Sequence, residues 1–264
     1  MGLAVLIAGA AIVFAYASLC RLGRDPLGPR PVGELPNTAL ALFLGFGTWI
    51  MAQLFVVPRF VGGEGAAGIS GRTVAIVVVV NTHVLIALAL LWPALRGRPR
   101  PRISAVRIVA AGVLAAVVLL AGQIVYSVVM TAAYRWAGAE PPMQALVEES
   151  MHSTGRDFAV RAIAAVVLAP FAEEVFFRGI LFPAVAHGIG PARGLVVQAA
   201  AFGLIHCWNQ WEAWPQAVAL AGVGWLAGWL YLRTGSLVAP MVMHASFNAA
   251  NLVAMTMAEK SSGS

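Results

Sequence analysis

The chain has 264 residues, of which 60% are hydrophobic and only 11% charged, with a net charge of +6. A soluble domain is nearer half apolar and a quarter charged, so this composition argues against one and for a polytopic membrane protein. The positive charge comes from 16 Arg and one Lys placed mostly in short connections, where they set topology and meet lipid headgroups rather than nucleic acid.

A hydrocarbon core of about 30 Å takes about 20 apolar residues in a helix. Eight stretches meet or approach this, at about 3–20, 38–57, 73–95, 103–134, 158–186, 193–209, 215–232 and 237–257. The first lacks a basic residue ahead of its apolar run, so it is read as an uncleaved helix rather than a signal peptide. The connection at 21–37 carries Pro26, Pro29, Pro31 and Pro36, and the one at 62–71 carries five glycines. Residues 96–102 hold four arginines, the strongest cytoplasmic signal in the chain. Alternation from there places nine basic residues inside against five outside. Residues 137–157 form the one sizeable polar insertion, with a middle fit for a short surface helix. Cys20 and Cys207 are isolated, which argues against disulfides and thiolate zinc.

The first four stretches hold few polar groups, and lone ones there read as packing contacts. The second four hold the rest. In the fifth, Glu173, Glu174 and Arg178 interrupt an otherwise apolar run between Pro170 and Pro183. Charges at bilayer depth are expensive and usually functional. Glu174 and Arg178 are i and i+4, on one face, and invite a salt bridge. Glu173 points about 100° away with no cation at helical spacing, which leaves it available as a general base or acid. A proline inside the span frees a backbone carbonyl and can open the helix. The sixth stretch supplies Phe202 and His206, again i and i+4. Trp208, Trp211 and Trp214 read as an interfacial belt, and Gly224 with Gly228 as a close helix crossing. The eighth carries His244 and Asn248 on one face, with Asn251 beyond.

Glu-Glu-x-x-x-Arg, Phe-x-x-x-His and His-x-x-x-Asn thus follow one another on three stretches. This set resembles the CPBP family of intramembrane proteases, also called the CAAX prenyl protease or abortive-infection family. The resemblance covers about residues 158–257. It implies an all-α, polytopic transmembrane bundle of about eight helices, with a four-helix catalytic core in the C-terminal half. Residues 1–157 would then be N-terminal helices and the polar connection, and 258–264 a tail.

The resemblance also implies peptide-bond hydrolysis within the membrane. Glu173 and His206 would activate a water, and His244 and Asn248 would support the oxyanion. Glu174, Arg178 and Phe202 would stand behind them. A second version uses Zn2+ on Glu173, His206 and His244, since two His and a carboxylate make a common catalytic zinc set. The chain has no His-Glu-x-x-His, no Gly-x-Ser-x-Gly and no pair of intramembrane aspartates, which argues against zincin, serine and aspartyl mechanisms. The expected partners are the lipid bilayer and a membrane-associated peptide or protein substrate, with no nucleic acid. The Ala- and Arg-rich, almost Lys-free composition points to a bacterial cytoplasmic membrane. A non-catalytic immunity or scaffold protein and an ion-coupled transporter are the competing classes. The intact motifs argue against the first, and the lack of an internal repeat against the second.

Overall fold

The computed structural model describes residues 103–139, 155–207 and 214–262. The stretches expected at 3–20, 38–57 and 73–95 lie outside the described residues, as do the arginine-rich connection and most of the polar insertion. Within them the chain is all-helical, as expected, and forms five helical rods with no strand.

The first, α1, spans Ala105–Trp136. Ser104 caps it, its backbone extended and its hydroxyl accepting from the Arg107 N–H. Among the described residues this is the one helix long and apolar enough to cross a membrane by length and composition. It leaves Val106, Val109, Leu114, Val117, Ile124 and Val129 exposed, the surface that a lipid-facing helix presents. Its inner face is small: Gly112, Ala115 and Ala116 are buried.

The second rod, α2, runs continuously through 155–189 but is not one α-helix. Ordinary turns at Gly155–Ile163, Ala169–Glu174 and Phe182–Ile189 alternate with π turns at Ala164–Leu168 and Val175–Leu181. Each π turn stops just before a proline, Pro170 or Pro183, in the first turn of the next segment. Proline lacks the N–H that an α register needs and crowds the preceding turn, and widening that turn absorbs both problems. The sequence therefore opens the helix on either side of Glu173 and Glu174, at the prolines that bracket them. At the far end Gly190 takes φ +84, a conformation that lets the chain reverse, and Pro191 starts α3 (Pro191–His206).

Helix α4 covers Trp214–Thr234 and α5 covers Val238–Ser262. The sharp turn between them uses Gly235 at φ +65, with the Ser236 hydroxyl accepting from the Val238 N–H. Helix α5 continues to Ser262, so the segment expected as a tail from 258 is largely helical.

Helices α3 and α4 lie in close contact, α4 packs on α5, and α5 also packs on α1 and α2. Small residues allow this. A Cβ on Gly203 would run into the Ala217 carbonyl oxygen, and one on Gly224 would fall 3.1 Å from the Ala199 Cα. One on Gly228 would fall 2.5 Å from Leu195 Cδ1, so the spacing of Gly224 and Gly228 does mark a close crossing. On the other side Gly112 meets Ala239 and Val242 of α5. The core threads Phe177, Phe202, Leu226, Ala227 and Met243 between the helices.

Candidate active site

The motif residues meet where α2, α3, α4 and α5 converge. The salt bridge expected from spacing is present: Arg178 Nη1 donates to Glu174 Oε1 at 2.9 Å, with both side chains wholly buried. Arg178 also donates from Nη2 to the Gly224 carbonyl at 2.8 Å. That carbonyl is reachable because two residues without bulk, Gly224 and Gly228, let α3 come close. The Arg178 guanidinium lies over the Phe202 ring, 4.8 Å from its centroid, a contact that strengthens when desolvated.

Phe202 is the hub of the cluster. Besides Arg178 it touches Phe177 edge-on at 5.0 Å, His206 at 4.6 Å and His244 edge-on at 5.8 Å between centroids. One ring therefore separates the buried cation from both imidazoles and fixes the attitude of each.

Motif spacing does not single out Gln198. It is fully buried and donates to the carbonyls of Leu195, at 3.1 Å, and Gly224, at 2.9 Å. It shares the Gly224 oxygen with Arg178 and so ties α3 and α4 to α2. A Gln in an apolar helix one turn before Phe202 is its only sequence signal.

The histidines are oriented by their Nδ1 atoms. His206 Nδ1 donates to the Phe202 carbonyl at 2.6 Å, and His244 Nδ1 donates to Glu174 Oε1 at 3.0 Å. Carbonyl and carboxylate oxygens only accept, so Nδ1 carries a proton in both rings, and in the neutral ring Nε2 keeps its lone pair. Both Nε2 atoms face Glu173, His206 at 3.5 Å and His244 at 3.9 Å from Oε2. Glu173 Oε2 is itself buried and has no hydrogen-bond donor. With both rings neutral, three acceptors converge on one spot. Such a cluster calls for a proton, a water or a cation.

Exposure separates the two carboxylates. The side chains of Glu173 and His206 are 27% and 30% exposed, whereas Glu174 and Arg178 are at 0%. The cluster is dry on the Arg178 side and open on the His206 side.

Asn248 takes a place that spacing does not indicate. Its Nδ2 donates to the Ala165 carbonyl at 2.7 Å, in the first π turn of α2. Asn251 bonds its own helix at the Phe247 carbonyl. Cys207 is buried just past the end of α3. Trp214 stands exposed at the start of α4, and the rest of the expected tryptophan belt lies outside the described residues.

The donor types around Glu173 suit a borderline cation, but among the described residues no three His, Cys, Asp or Glu side chains are arranged to hold a metal ion.

Residues 155–250 match the family model described as type II CAAX prenyl endopeptidase Rce1-like. The matched stretch contains all three motifs, Glu173 through Asn248, and agrees with the family that the motifs resemble. No curated protein and no solved structure matches the chain significantly.

Proposed function

We propose, from the Rce1-like family of residues 155–250 and the geometry around Glu173, that this chain is an intramembrane endopeptidase that hydrolyses a peptide bond at the membrane. The family is one of CAAX prenyl endopeptidases, and integral membrane placement fits both it and α1. The observation that carries the reading is the convergence of Glu173 Oε2, His206 Nε2 and His244 Nε2.

A water fits that gap. Its two hydrogens would go to Glu173 and to His206 Nε2, which leaves a lone pair directed at the open side, where substrate enters. Glu173 and His206 would take its proton as it attacks the carbonyl carbon and would return it to the leaving amine. The charges fit such a proton store: Glu173, Glu174 and Arg178 sum to one negative charge, which one extra proton on the histidines neutralises. His244, held by Glu174, would carry that proton and donate from Nε2 to the developing oxyanion, with the second N–H of the Asn248 amide in support. Arg178, Phe202 and Glu174 would hold the machinery in register.

A metal-assisted version is the second reading, because two imidazoles and the Glu173 carboxylate are the donor types that Zn2+ takes. No step above depends on it. Elemental analysis of the purified protein beside His206→Ala decides between the two: near-stoichiometric zinc lost in the variant supports the metal version.

The activity test uses detergent-solubilised protein with two probes, a farnesylated peptide ending in a CAAX sequence and the same peptide unprenylated. Cleavage of either that disappears in Glu173→Gln, with helicity unchanged, supports the proposal. Cleavage unaffected by Glu173→Gln overturns it. A scaffold or a transporter would cleave neither probe.

A further inference from the structure

The hydrogen bond from Asn248 to Ala165 has a specific origin in the sequence. In the first π turn the Ala169 N–H donates to the Ala164 carbonyl, five residues back. The next donor in that register, the one due to the Ala165 carbonyl, is residue 170. Residue 170 is proline and has no N–H. The Ala165 carbonyl is therefore orphaned by Pro170 inside a packed helix, where an unpaired carbonyl is costly. Asn248 supplies the missing donor from α5 at 2.7 Å. Pro170 is itself fully buried against these helices.

The consequence reaches the carboxylates. A π turn holds one residue more than an α turn, so its loss rotates everything after it by about 100° about the helix axis. That angle is also the offset between Glu173 and Glu174. If the turn closed, the carboxylate facing the histidines and the one facing Arg178 would change places or be lost.

We propose that Pro170 and Asn248 form a matched pair. Pro170 makes the widened turn, Asn248 caps the carbonyl it frees, and together they select which of two adjacent carboxylates faces His206 and His244. Asn248 is in this respect a positioning residue acting through the α2 backbone. The stability half of the inference stands on geometry alone, and the catalytic half rests on the endopeptidase reading.

A double-mutant cycle tests it. Asn248→Ala, Pro170→Ala and the double variant are unfolded thermally in detergent. Replacing the proline restores an N–H in the π register, so Asn248→Ala should lower the midpoint by about 3–6 °C in the parent and by much less in Pro170→Ala. Additive shifts overturn the pairing. Cleavage of the two probes is then measured well below every midpoint. Asn248→Ala should lower kcat with KM nearly unchanged, and Pro170→Ala should restore part of the loss. An Asn248 that only donated to the oxyanion would not be rescued by a change at residue 170, and no rescue overturns the positioning role. If the parent cleaves neither probe, the endopeptidase reading falls while the unfolding cycle still decides the pairing. Should Pro170→Ala not fold, hydrogen exchange of the single Asn248→Ala variant gives the answer. Faster exchange confined to 164–174 supports the pair, and uniform or unchanged exchange overturns it.

Discussion

Glu173 and Glu174 are neighbours in the chain and opposites in the structure. Glu174 sits in a dry half, with Arg178 at 2.9 Å, His244 at 3.0 Å and no exposure. Glu173 sits in an open half, more than a quarter exposed, with two imidazole Nε2 atoms before it and, among the described residues, no arginine or lysine paired with it. In the proposed reaction this division lets one carboxylate anchor the helix while the next, about 100° around, acts on the water.

The comparison breaks first, and most heavily, at Glu173. Glu173→Gln keeps the shape and removes the base, so cleavage should fall by about 10²–10⁴-fold while the unfolding midpoint stays within a few degrees of the parent. A variant that fails to fold would mean that Glu173 is also an anchor, and the distinction between the halves would be lost.

Arg178→Ala tests the other half. It leaves Glu174 buried without its charge partner and strips a donor from the Gly224 carbonyl, so stability should drop by about 3–5 kcal/mol. Activity should fall with it, because Glu174 orients His244. Denaturant unfolding in detergent micelles reads the first effect. An Arg178→Ala protein as stable as the parent would show that the bridge does not hold the dry half together.

The spacing of charges along one helix was legible in sequence; what the other helices bring to them was not. Glu174 with Arg178, and the close crossing at Gly224 and Gly228, follow from the repeat of the α-helix and the size of the residues. The π turns were legible only as two prolines, because their register depends on packing that periodicity does not encode. The bond from His244 to Glu174 joins residues 70 apart, and that from Asn248 to Ala165 joins residues 83 apart. Both depend on how α5 crosses α2, which no local pattern specifies. Gln198 is silent in sequence for the same reason: its partner across the helix crossing, the Gly224 carbonyl, lies on α4, and along its own helix it is a lone amide. The family motifs name residues that the helices bring together, without saying which of them touch.

A smaller effect is expected where the dry half is built rather than charged. A methyl on Gly203 would overlap the Ala217 backbone oxygen, and backbone cannot swing aside as a side chain can. Gly203→Ala should force α3 and α4 apart at a cost of about 1–3 kcal/mol, lengthening the reach from α2 to the Gly224 carbonyl. Its loss of stability should be less than that of Arg178→Ala, and a Gly203→Ala protein with parental stability would mean that the crossing has slack.

The smallest expected effect separates two views of Gln198. As a hydrogen-bonding peg it joins the Leu195 and Gly224 carbonyls, yet its own Oε1 is buried without a partner. Gln198→Leu removes both donations and also that unsatisfied oxygen, while filling most of the volume. Gly224 keeps Arg178 as a donor. The two terms nearly offset, so Gln198→Leu should cost no more than about 1 kcal/mol. Gln198→Ala, which adds a void at a fully buried position, should cost about 2 kcal/mol or more. If the two variants are equally damaging, the amide matters for its bonds rather than its bulk. The Gly224 carbonyl would then need both Gln198 and Arg178, and the dry half would be held by a network of three helices instead of by the ion pair alone.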